Sequence, residues 1–140
     1  MSNRKSEKTK RTLSIGSLNC HGIKDKIDYP ELIHLISESD IFGVSETWLR
    51  DTDKIYIPNF EFYPLNRKTN KGPTKGGIGV FIKSEIKKYV KIRYDLSDET
   101  FLWCKISKDF TGYHDDIVGS PRMNQGGQMS FKILALQGGN

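Results

Sequence analysis

The apolar run Ile41-Phe42-Gly43-Val44 has no helical spacing and suits a strand covered on both faces. It ends not in a plain turn but in Ser45-Glu46-Thr47-Trp48. An ionisable group therefore stands where a core strand meets solvent, the place at which open sheets carry their chemistry. Before it, Leu13 to Asn19 reads as a first strand closed by Asn19 and Gly22. Between the two lies a helical pattern. Tyr29, Leu32, Ile33 and Ile36 fall at i, i+3, i+4 and i+7, and Asp28 with Glu31 has the spacing of a capping box, with Pro30 in the first turn. Strand, helix and strand in so few residues predict a βαβ-like opening, with Asn19 and Glu46 at one sheet edge.

Further along, Ile55 to Tyr63 predicts a turn at Pro58-Asn59 followed by an alternating strand. Gly76 to Ile82 predicts its hairpin partner across the loop 66–75. Tyr89 to Tyr94 and Phe101 to Ile106 alternate and extend an antiparallel meander. From Thr111 to Ser130 the chain is rich in Gly, Asp, Asn and Gln, and no packed element is predicted there. Phe131 to Leu136 reads as a final strand or a helix turn.

A chain of 140 residues with 36% hydrophobic content has room for one domain and one core. Its net charge of +5 admits a polyanionic partner, and the distribution of that charge says more. Residues 1–11 are basic and without apolar periodicity, which predicts a disordered arm: a solvated tail, or alternatively a phosphate-contacting or nuclear-import segment. Arg67, Lys68, Lys71 and Lys75 tip the predicted hairpin. They read either as a nucleic-acid contact or as a lysine-rich loop that protects a sheet edge. Cys20 and Cys104 have no metal-type spacing and suggest reduced thiols, and no apolar run approaches the roughly 20 residues of a membrane span. The expectation is an intracellular protein, nuclear or cytoplasmic, with no membrane partner.

Three ordered stretches carry a resemblance: Ser17-Leu-Asn-Cys-His-Gly22, Asp40-Ile-Phe-Gly-Val-Ser-Glu-Thr-Trp-Leu49, and Arg67 leading into Gly76-Gly-Ile-Gly-Val-Phe-Ile-Lys83. Glu99 to Ile106 adds a fourth. Together they resemble the endonuclease/exonuclease/phosphatase superfamily, most closely the endonuclease domains of non-LTR retrotransposons. The resemblance spans about residues 12–118. It implies an α/β fold, part of a two-layered α/β sandwich with a mixed, mostly antiparallel sheet, truncated here. On that reading residues 119–140 form a divergent, poorly ordered tail.

The same resemblance implies a phosphodiester hydrolase using Mg²⁺ or Mn²⁺, with Glu46 as principal metal carboxylate and Asn19 orienting the metal or the scissile phosphate. Arg67, Lys68, Lys71 and Lys75 would hold a DNA or other nucleic-acid backbone. The family's later Asp with Asn, and its terminal Asp-His pair, have no counterpart in these 140 residues. His114, Asp115 and Asp116 precede where those motifs would fall and read as loop, while His21 adjoins the Asn19 motif and His34 lies on the helix. The expectation is therefore little or no turnover by this chain alone, with another chain as a possible completion of the sandwich. The alternatives are a non-catalytic nucleic-acid-binding module, in which Asn19 is a turn former and Glu46 caps a strand, a phosphatase of the same superfamily, or a gene remnant.

Overall fold

A computed structural model describes residues 13–66, 76–98, 101–107 and 110, and the backbone of 122–123 and 129–134. Among the described residues the fold is mixed α/β, with mostly antiparallel strand pairing and few helical segments. The elements are β1 (Ile15–Asn19), α1 (Pro30–Ser37), β2 (Ile41–Ser45), β3 (Phe60–Leu65), β4 (Ile78–Lys83), β5 (Val90–Ile92), β6 (Phe101–Ile106), β7 (Arg122–Met123) and β8 (Met129–Leu134). Short 3₁₀ turns cover Ser84–Tyr89 and Tyr94–Leu96.

The strands form two sheets, in the orders β1-β2-β4-β3 and β5-β6-β8-β7. The single meander expected from the alternating patterns is thus divided: β5 and β6 belong to a second sheet and do not extend the first. In the first sheet β1 and β2 are parallel, with Asn19 opposite Ser45, and β4 runs antiparallel to both β2 and β3. β2 lies between two strands and all five of its residues are buried, which is why its apolar residues do not alternate with polar ones.

Alternation sorts the first sheet into two faces. Ile41, Ile78, Val80 and Ile82 meet Leu102, Cys104 and Ile106 of the second sheet in one core, joined by Leu13, Ile86 and Phe110. Phe42, Val44 and Phe81 point the other way, against Leu32 and Ile36 of α1 and against Ile23, Leu49 and Ile57 of the loops. The helix thus covers one face of the first sheet and the second sheet covers the other.

The N-terminus of α1 differs from the capping-box expectation. Tyr29 is the N-cap and makes no side-chain cap bond; Pro30 occupies the first helical turn and Glu31 supplies the acidic residue there. The reason lies upstream. Lys26 and Ile27 donate to the Ile23 carbonyl and Tyr29 to that of Lys26, so turns carry the chain past Asp28 before the helix starts. Of the predicted stripe, Leu32 and Ile36 are buried while Tyr29 stays exposed.

Past the expected boundary at 118/119, β8 pairs antiparallel with β6 from Phe101↔Leu134 to Ile106↔Met129. Of the two readings of 131–136, strand is the one realised over Met129–Leu134. The basic arm 1–11 and residues 111–120 lie outside the described residues.

Candidate functional site

Parallel pairing of β1 with β2 sets their C-terminal ends side by side, and β4 begins at the same edge because Ile78 pairs with Ser45. Three chain segments interlock there. Cys20, Gly22 and Ile23 donate backbone N–H bonds to the carbonyls of Ser45, Glu46 and Thr47 at 2.8, 2.8 and 3.1 Å. Thr47 and Trp48 in turn donate to the carbonyls of Gly77 and Gly76 at 3.3 and 2.9 Å. The residues following β2 are thereby gripped from both sides, like a continuation of the sheet in irregular backbone.

That grip holds an unusual conformation. His21, Glu46 and Trp48 have φ of +52°, +54° and +57°, and none is glycine. Left-handed backbone at such residues costs on the order of 1–3 kcal/mol each and persists only where the surroundings over-determine it. Among the described residues Asn59, in a turn, is the other non-glycine case. Two glycines make the arrangement possible. A Cβ on Gly22 (φ +89°) would stand 2.7 Å from Trp48 Cε3, and one on Gly77 (φ +95°) 2.4 Å from Thr47 Oγ1.

The consequence is a fixed carboxylate. Glu46 is half-buried, and the Trp48 indole N–H donates to its Oε1 at 2.7 Å. Among the described residues no hydrogen bond falls on Oε2. The His21 ring leans on Trp48 with centroids 5.8 Å apart. Lys26 Nζ braces the turn from below, donating to the carbonyls of His21 and Gly22 at 2.7 and 3.2 Å. Thr47 Oγ1 is fully buried with no hydrogen-bond partner among the described residues, a further cost carried at this edge.

Asn19, at the end of β1, sits on this edge opposite Ser45, with its Oδ1 buried. The two site residues read from the motifs therefore come from neighbouring strand ends. Arg67, Lys68, Lys71 and Lys75 lie outside the described residues, but both ends of their stretch are anchored here. Asn66 donates its Nδ2 to Asp51 Oδ1 at 2.9 Å, and the chain returns at Gly76, the acceptor for Trp48. His114, Asp115 and Asp116 also lie outside the described residues, and His34 pairs with Glu38 on the exposed side of α1, away from Glu46.

Three groups have titrations displaced from their ordinary range, Asp53 and Cys20 near this edge and Cys104 in the core between the sheets. The Arg50 backbone N–H and the Lys24 ammonium keep the Asp53 carboxyl below the usual carboxylate range, tying the loop after β2 to the turn after β1. Burial pushes the Cys20 thiol up to about 11, against a smaller opposing pull from Lys26, and burial alone pushes Cys104 up to about 12. Neither is a thiolate near neutral pH, so neither serves as nucleophile or ready metal ligand.

Trp48, His21, Gly22 and Gly77 escape a reading by residue type. The legible signal is the Glu46-x-Trp48 spacing, which puts an indole donor within reach of the carboxylate once the backbone turns left-handed. Among the described residues no cluster of three or more His, Cys, Asp or Glu side chains is in place to hold a metal, and no helix is long and apolar enough to cross a membrane. No family model matches the chain, and no curated protein matches it at a significant level.

Proposed function

We propose that the Glu46 edge is the divalent-cation side of a nucleic-acid phosphodiesterase site, of the endonuclease/exonuclease/phosphatase kind. The observation that carries this reading is the Glu46 carboxylate itself, presented at paired strand ends by strained, interlocked backbone and oriented by the Trp48 indole. Strain of that sort clusters where geometry is used. Two sheets packed on one core, with α1 on the outer side of the first, are compatible with that superfamily's sandwich.

The donor set fits a small hard cation. Mg²⁺ takes oxygen ligands, dehydrates reluctantly and commonly uses only one or two carboxylates, so Glu46 with the Asn19 amide supplies enough protein contact. The cation would polarise the phosphoryl oxygens and stabilise the leaving oxyanion. Glu46 would bind it through the carboxylate that Trp48 fixes, and Asn19 would orient cation or phosphate. Arg67, Lys68, Lys71 and Lys75, on the stretch anchored at Asn66 and Gly76, would hold the backbone on either side of the scissile bond.

Among the described residues no group is placed to activate water. Among the described residues no carboxylate–imidazole pair faces Glu46; the one such pair, His34–Glu38, is on the exposed side of α1. Slow hydrolysis is therefore expected. Supercoiled plasmid incubated with the purified chain and Mg²⁺ should show at most weak nicking, lost in Glu46→Ala. Robust nicking that survives Glu46→Ala would overturn the assignment. The sparse donor set leaves one competing reading, a nucleic-acid-binding module without catalysis. Salt-dependent DNA binding that ignores both Mg²⁺ and Glu46→Gln would establish it.

A further inference from the structure

A second basic feature lies away from Glu46. β4 runs from Ile78, beside Ser45, to Lys83, and the 3₁₀ turn Ser84–Tyr89 leads from there into β5. Six residues of strand separate the two ends by about 17 Å. At the far end an open groove of about 280 Å³ is lined by Lys88, Tyr89, Val90, Lys91, Lys105 and Ser107.

Three ammonium groups share this groove. Lys91 and Lys105 stand directly opposite each other in the β5–β6 ladder, an arrangement of like charges that destabilises a sheet on its own. Lys88 lies over the Tyr89 ring, 5.3 Å from its centroid. Among the described residues none of the three has a carboxylate within ion-pair distance. Asp95, which feels the charge of Lys91, is engaged at two points by Arg93, at 2.8 and 2.5 Å.

Edge protection explains only part of this. β5 is the outer strand of its sheet, so a lysine there blocks edge-to-edge pairing. Lys105 is on β6, between β5 and β8, and protects no edge. Three lysines lining one open groove, with no carboxylate partner among the described residues, suit a ligand with anionic oxygens.

We propose that the Lys88–Lys91–Lys105 groove is a phosphate-binding track that anchors the backbone of a nucleic acid, separate from the Glu46 site. It shares with the proposed function the nucleic-acid partner but does not depend on Glu46 or on a cation. Lysine ammoniums hold phosphodiester oxygens as point charges without reading bases, so binding here is sequence-independent and weakens as salt rises.

The test is fluorescence-anisotropy titration of a labelled duplex oligonucleotide with the full chain at about 50 and 200 mM NaCl. Removing two phosphate contacts should lower the slope of log affinity against log salt by about 2 in Lys91→Gln/Lys105→Gln. The same variant should melt slightly higher than the parent, because the opposed charges are gone. Lys91→Arg/Lys105→Arg should keep the parental slope. Lys91→Gln/Lys105→Gln should keep the parent's Mn²⁺ affinity, which separates this proposal from the hydrolytic one. An unchanged slope in the Gln variant, or a parent that binds no duplex, would overturn the proposal. So would phosphorus NMR in which the groove takes inorganic phosphate while duplex binding is absent.

Discussion

Replacing Glu46 by glutamine is expected to weaken Mn²⁺ binding by about a hundredfold while leaving the fold intact. The substitution is isosteric and keeps an oxygen that can accept from the Trp48 indole, so the stability change should stay within about 0.5 kcal/mol. What it removes is the negative charge, and a hard divalent cation held chiefly by its own waters has little else to gain from the protein. Trp48→Phe gives the companion result. It leaves the charge but removes the donor that orients Oε1, and loss of such a supporting contact costs about tenfold or more in metal affinity. Titration of Mn²⁺ followed by electron paramagnetic resonance measures all three proteins. Equal affinities in the parent and Glu46→Gln would remove Glu46 from any cation site.

Gly77→Ala should lower stability by about 3 kcal/mol, combining the cost of a left-handed alanine with that of forcing a Cβ against Thr47 Oγ1. For a unit of about a hundred residues that corresponds to a fall in Tm on the order of 10–20 °C. The cause is separable by a double-mutant cycle. Thr47→Ala removes the very oxygen the new Cβ would strike, and that oxygen makes no hydrogen bond among the described residues. Gly77→Ala in the Thr47→Ala background should therefore regain a substantial part of the loss. Additive effects would mean that the strain at Gly77 is purely one of backbone conformation. Because Gly76 and Gly77 carbonyls hold the Trp48 and Thr47 N–H groups, Gly77→Ala should also loosen the seat of Glu46.

Much of this arrangement is legible in the residues. The uninterrupted apolar run of β2 signals a strand buried on both faces, and the helical stripe before it signals a crossover, so the parallel pairing that sets Asn19 and Glu46 on one edge follows from short-range pattern. Leu32 and Ile36, the inward positions of that stripe, pack where the pattern puts them. The hairpin of β3 and β4 is legible for the same reason, since alternation and intervening glycines are local signals.

What local signals do not carry is which sheet a strand joins. β5 and β6 alternate as strands of either sheet would, and only the long-range packing of Leu102, Cys104 and Ile106 against Ile78, Val80 and Ile82 decides for a second sheet. The conformation of the site is hidden for a related reason. Glu46 and Trp48 are residue types that rarely take left-handed backbone, and they adopt it because hydrogen bonds from the turn after β1 on one side and from Gly76–Gly77 on the other dictate the path. The helix start shows the same competition on a small scale: turns through Ile23–Tyr29 override the capping signal at Asp28.

The interlocked strand ends around Glu46 are proposed to bind a divalent cation. Backbone amide NMR of the full chain during addition of substoichiometric Mn²⁺ tests it most directly, because paramagnetic broadening reports distance from the ion. The predicted result is selective loss of the Cys20–Gly22, Ser45–Trp48 and Gly76–Gly77 signals, reversed by excess Mg²⁺ and absent in Glu46→Gln. Broadening centred on other residues, or none at this edge, would contradict it.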